Sequence, residues 1–241
     1  MIQNREVIPE EISLKAQIAI DYCQGVKDDN VIRDKKLFKM PVYDDNSILI
    51  NISEKKTALM FRASKKAEQK YYVREVIAEK LQRINQVLLS QNKSLIIIST
   101  WRSYKDQRCL LLDQIKLCIE QHPKKTHSQI DAIISHFVAP ETQSMHTTGG
   151  AVDALIFDNE LNQILDFGTN DKSDINFGVL CYPFHPDASI EARKNRKLLI
   201  DIFECEGFVV DPKAFWHFDY GNVAWAVEKQ HDFAIFGPIF I

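Results

Sequence analysis

The sequence predicts an α+β fold, a single domain in which helices flank a central antiparallel sheet. Three observations lead there. Apolar residues recur at helical spacing over 72–91, 103–122 and 189–207, and apolar runs of strand length stand between these segments. No repeat and no Gly/Ser/Pro-rich linker divides the 241 residues. A chain of this length can bury one large core. Its 45% hydrophobic and 26% charged residues are ordinary for a globular protein and speak against disorder. Residues 1–241 are therefore expected to form one unit, with 1–65 its least regular part.

Along the chain, residues 1–65 mix short apolar runs such as "SILINIS" (47–53) with charged turns, which predicts strands and loops. From 72 to 91, Val73, Val76, Ile77, Leu81, Ile84, Val87 and Leu88 share one helical face. The turn residues "NK" then lead into a buried strand, "SLIIIST" (94–100). A second helix follows over 103–122 with Ser103 as its cap, and a third over 127–139. "AVDALIFD" (151–158) is a strand. Residues 189–207 form another amphipathic helix, stopped at Gly207. The closing runs "FVVD", "AFWHFDY" and "FAIFGPIFI" read as strands.

Composition excludes several classes of function. A formal net charge of -3 provides no basic field for nucleic acid or an anionic membrane. The amino terminus has no apolar core of signal-peptide length, and no run approaches the roughly 20 apolar residues of a membrane span. The 5 cysteines include no C-x-x-C pair, which argues against a disulfide framework or a cysteine zinc site and for buried, reduced thiols. A cytoplasmic location is expected. No G-x-S-x-G elbow and no phosphate-cradling glycine loop occurs. His122, His127, His136, His185 and His231 lack ligand spacing and are expected at the surface; His185 in "YPFHPD" is the one whose loop can border a cleft.

The chemistry concentrates in two stretches. In "SMHTTGGAVDALIF" (144–157), Asp153 stands inside an otherwise apolar strand, where a carboxylate costs several kcal/mol unless a partner compensates it. A cation would do so. Gly149 and Gly150 allow a tight turn that can return His146 to Asp153. In "KAFWHFDYGN" (213–222), period two predicts His217 and Asp219 on one face and Trp216, Phe218 and Tyr220 on the other. His146, Asp153 and His217 can then form a two-nitrogen, one-oxygen zinc site with a fourth position open. For any one of these residues, a core histidine or an Asp–Arg pair is the simpler reading; the two stretches together favour the metal.

Together they resemble the D-alanyl-D-alanine dipeptidases, the zinc enzymes of the VanX type. The family motif S-x-H-x-x-G-x-A-x-D is matched by Ser144, His146, Gly149, Ala151 and Asp153, and its later E-x-W-H element by "AFWH" (214–217). The arginine that follows a buried strand is matched by Arg102 in "IIISTWRSYKDQ", and the resemblance spans about residues 70–222. It implies one Zn2+ per chain held by His146, Asp153 and His217, with Arg102 stabilising the oxyanion and Ser144 touching the substrate. That substrate would be a small peptide such as D-Ala-D-Ala from peptidoglycan chemistry. A surface arginine at a helix start is the alternative for Arg102.

Two positions depart from the family pattern. Ala214 stands where the family carries the glutamate that moves the proton, with Asp211 and Pro212 in the turn just before it. The aspartate expected soon after a G-T pair, to bind a dipeptide's ammonium, is matched only out of register by Asp171 or Asp174, with Lys172 nearby. The resemblance therefore implies either an impaired zinc dipeptidase or a zinc- and peptide-binding pseudoenzyme.

Overall fold

The computed structural model describes residues 10–55, 58–62, 70–135, 138–168 and 180–240. Its centre is a sheet in the order β2-β4-β5-β8-β7 (β2 Met60–Phe61, β4 Lys93–Ser99, β5 Ala151–Asp158, β7 Val209–Asp211, β8 Ala214–Asp219), with β6 (Gln163–Ile164) paired to the far end of β5. Every pairing is antiparallel except β2 with β4, which is parallel. A separate antiparallel pair joins β1 (Leu49–Asn51) to β3 (Tyr72–Arg74). The expected α+β class holds, with one parallel edge added.

The helices α2 (Glu75–Leu89) and α5 (Ile190–Cys205) supply the main core. Ile77, Leu81, Ile84 and Leu88 recur at helical spacing and are fully or almost fully buried, as are Leu199, Ile200 and Phe203 of α5. They meet Leu95 and Ile97 of β4 and Val152, Ala154 and Ile156 of β5. Because strand side chains alternate, filling the core with 152, 154 and 156 turns Asp153 to the opposite face. A smaller apolar cluster joins α3 (Tyr104–Gln121) to α4 (His127–Ile134) through Cys118, Ile130 and Ile134. Ser103 caps α3 by accepting from Asp106 N, and Thr126 with Gln129 forms a capping box on α4.

The amino-terminal reading needs correction. Instead of strands and loops, Glu10–Leu37 is one helix, α1. Its inward positions Ala19, Cys23, Asn30, Arg33 and the half-buried Leu37 fall at helical spacing, but small and polar residues occupy most of them. A stripe of that composition carries no hydrophobic period, so pattern reading passes over it. The carboxyl terminus also differs. Residues 233–240 make only an isolated bridge, Val42 to Ala234, because Gly237-Pro238 interrupts the ladder and proline has no N–H to donate. The short α6 (Val223–Glu228) was not expected; Asn222 caps it by accepting from Trp225 N. The helix begun at His127 ends at Ile134, short of 139. Among the described residues no helix is long and apolar enough to cross a membrane.

Candidate metal centre

Three backbone devices bring His146, Asp153 and His217 together. Gly149, at φ 76°, ends a 3-10 turn (Met145–Thr148) in the left-handed region that suits glycine. Gly150 packs against the Tyr220 carbonyl so closely that a Cβ there would collide with it. The turn bearing His146 is thereby pressed onto the end of β8. Finally, β5 and β8 pair with Asp153 opposite His217.

The polar atoms converge on Asp153. His217 Nδ1 lies 2.9 Å from Asp153 Oδ1, and His146 Nε2 lies 3.3 Å from Asp153 Oδ2. One ligand atom from each of the three falls within 4.8 Å of the others. The remaining ring nitrogens are engaged from behind. His146 Nδ1 lies 2.7 Å from the Thr100 carbonyl, and His217 Nε2 lies 3.3 Å from Asp219 Oδ1. Each contact fixes a ring so that its other nitrogen faces the centre, as outer-shell partners do for metal-binding histidines.

Charge in the centre follows from burial and neighbours. Burial pushes the Asp153 carboxyl up, but His146 and His217 outweigh it and hold the group far below the usual carboxylate range. Burial and then Arg102 push the His146 imidazole down. Burial also lowers His217, yet Asp219 and Asp153 together raise it well above its ordinary value. The pocket thus favours positive charge between its carboxylates. Two imidazoles, one carboxylate and a side open to a cleft fit a zinc ion with a free coordination position.

Arg102 is not a surface arginine. Its guanidinium donates to Ser99 Oγ (3.1 Å), Gln107 Oε1 (2.6 Å) and Asp153 Oδ2 (3.3 Å), so it stands at the edge of the centre in a fixed orientation. Gln107, almost fully buried and itself held by the Ala139 carbonyl, has no signal in the sequence as part of this site. Neither does Thr100, which acts through its backbone. The centre opens into a cleft of about 740 Å³ lined by Arg102, Ser144, His146, Asp153, Ala214 and His217, among others. Asp171, Asp174 and Lys172 lie outside the described residues.

Strand phase in β8 departs from the expected two faces. Val210 pairs with Phe218 and the next residue of β7, Asp211, pairs with Ala214, so Phe215, Trp216 and His217 bulge between two consecutive positions of β7. Phe215 and Phe218 turn inward onto Phe167 and Phe203. Trp216, expected opposite His217, lines the cleft with it. His185 is also corrected. It is buried, 2% exposed, and its Nε2 lies 3.3 Å from Cys23 Sγ of α1. Cys23, Cys118 and Cys181 are buried free thiols, as expected of most cysteines, whereas Cys109 and Cys205 are exposed.

A family profile described as D-ala-D-ala dipeptidase matches residues 56–235, which takes in the whole centre. The chain belongs to this peptidase family. Solved structures similar to it include the LdcB LD-carboxypeptidase, at 16% identity over 78% of this chain and 76% of that one, with a TM-score of 0.45. VanYB in complex with D-alanine-D-alanine is 17% identical over 76% and 91% of the two chains, TM-score 0.45. A variant of the VanY D,D-pentapeptidase in complex with Zn(II) is 16% identical over 76% and 90%, TM-score 0.45. No curated protein matches the chain. Within the dipeptidase family, α1 is an element that lies wholly outside the matched segment.

Proposed function

We propose that this protein is a zinc-dependent hydrolase of peptidoglycan-related dipeptides of the D-Ala-D-Ala kind, slowed by the absence of a glutamate at Ala214. The observation that carries this reading is the convergence of His146, Asp153 and His217 within 4.8 Å at a cleft, inside the segment that matches the family. Zinc held by these three would supply Lewis acidity toward a peptide carbonyl and make water acidic near neutral pH. Arg102, held by Ser99 and Gln107, would on this reading meet the negative charge that develops on the carbonyl oxygen. Ser144, buried on the cleft wall, would on this reading touch the substrate.

A second reading is favoured by Ala214, which lines the cleft with only a methyl group. On that reading the protein binds zinc and a peptide but turns over little. One experiment separates the two. Zinc content and D-Ala-D-Ala hydrolysis are measured for the wild type and for Ala214→Glu. A positioned acid–base group contributes roughly 10²–10⁴ in rate, so Ala214→Glu is expected to gain up to that factor at unchanged zinc content. Measurable wild-type turnover supports the hydrolase; zinc and dipeptide binding without turnover supports the pseudoenzyme. No zinc in either protein removes both.

A further inference from the structure

We propose that Asp211 is the carboxylate that exchanges a proton with water in this cleft, and that α1, through Arg33, is the element that positions it. This rests on the hydrolase reading above and adds a residue to it. Hydrolysis at a metal centre needs a group to receive the water's proton and return it to the leaving amine. Among the described residues, the carboxylates lining the cleft are Asp34, Asp153 and Asp211. Asp153 belongs to the metal cluster, and Asp34 is exposed on α1. Asp211 remains.

Its placement suits the role. Asp211 is the cross-strand partner of Ala214, and side chains of paired residues rise from the same face of a sheet with Cβ atoms roughly 4.5–5.5 Å apart. The methyl of Ala214 leaves room beside it. Asp211 stands outside the group of three that can share a metal ion, as a group acting on a metal's water should. Lys213 N donates to Oδ1 at 2.7 Å and Arg33 Nη1 to Oδ2 at 3.3 Å, which orients the carboxylate. Arg33 also meets Glu228 of α6 at 2.9 Å and is 9% exposed, so its position is fixed by two elements. The adjoining Tyr182 hydroxyl is buried without a hydrogen-bond partner among the described residues, a further polar group on that side of the cleft. Burial pushes Asp211 up, but Arg33, which contacts it at 3.3 Å, leads the groups that outweigh burial and hold it below its ordinary value. The same stabilisation makes it a weak acceptor, which leaves room for the gain expected of Ala214→Glu.

The step balances as a hydrolysis. Asp211 takes one proton from water, the resulting hydroxide oxygen bonds to the peptide carbonyl carbon, and the C–N bond breaks with its electron pair on nitrogen. Asp211 then gives its proton to that nitrogen. No oxidant or reductant takes part.

The test uses the zinc-loaded full chain and a phosphinate analogue of alanyl-alanine, with calorimetry in buffers of different ionisation enthalpy to count protons. The wild type is expected to take up about one proton as the analogue binds, and Asp211→Asn none, because the acceptor is gone. D-Ala-D-Ala hydrolysis should fall about 10²–10⁴-fold in Asp211→Asn at similar KM. Arg33→Ala should lower kcat and Arg33→Lys recover part of it. The double variant Asp211→Asn/Ala214→Glu should regain at least the wild-type rate, which a purely structural role for Asp211 does not predict. Proton uptake and hydrolysis unchanged in Asp211→Asn would overturn the proposal, as would a wild type that binds the analogue yet takes up no proton or cleaves no dipeptide. In those cases the metal–peptide cleft stands. A zinc-loaded wild type that fails to bind the analogue overturns both.

Discussion

Individual side chains in the candidate centre divide into proposed ligands, holders and a proposed anion partner, and each makes a separate prediction. Removing one of three protein donors leaves an incomplete shell, so His146→Ala, Asp153→Ala and His217→Ala should each lose most of the zinc expected at about one ion per chain. Metal analysis after dialysis decides it; full occupancy in any variant removes that residue from the set. Arg102→Ala should behave differently. It deletes a charged donor that contacts Asp153 but removes no metal-binding atom, and hydrogen bonds to charged groups contribute about 1.5–3 kcal/mol. Zinc content should stay constant while affinity for the phosphinate analogue falls about 10- to 100-fold, measured by inhibition or calorimetry. Equal affinity would confine Arg102 to orienting Asp153.

Among the elements, the turn carrying His146 depends on a residue remote from it in sequence. Arg74, at the end of β3 and 2% exposed, donates to the Thr148, Ser47 and Gly237 carbonyls and to Asp44 Oδ2. Its own N–H reaches the Gly149 carbonyl at 3.0 Å. One guanidinium thus ties together the turn that carries His146, the 44–47 loop and the carboxyl-terminal segment. Removing one partner of a buried charged network costs about 3–5 kcal/mol. Arg74→Ala should lower stability to denaturant by about that amount, and hydrogen exchange should quicken at residues 145–150 more than in α2. Uniform exchange across both would show that Arg74 stabilises the fold without a special hold on the turn.

Across the whole molecule, Asp44 links this network to pH. Burial pushes its carboxyl up, but hydrogen bonds from Gly237 N and Asn46 N, together with Arg74, outweigh it and hold the group below its ordinary value. A depressed folded pKa stabilises the protein fully above the unfolded value of about 3.9 and ceases to do so as pH falls through the folded one. The melting temperature of Asp44→Asn should therefore lie below that of the wild type near neutrality, and the gap should narrow steadily below about pH 5. A gap that stays constant to pH 2 would mean that the carboxylate's charge contributes nothing.

Much of the fold and of the candidate site is legible in the sequence. β5 appears at its expected bounds, Ser103 caps α3, and α2 and α5 bury the faces that their apolar spacing marks. These are local signals, written in period and capping chemistry. His146, Asp153 and His217 could be nominated because a carboxylate in an apolar strand and paired glycines after a histidine are costly or unusual unless something uses them. α1 could not be read, since its buried stripe is built from Ala19, Cys23, Asn30 and Arg33, and the partners of Cys23 and Arg33 lie far along the chain. The same holds for Trp216 in the cleft, which follows from a bulge in strand pairing, and for Gln107 beside the centre. Hydrophobic period reports burial against a core. It says nothing of a polar side chain that is buried against another polar side chain, because that contact exists only once two distant segments have met.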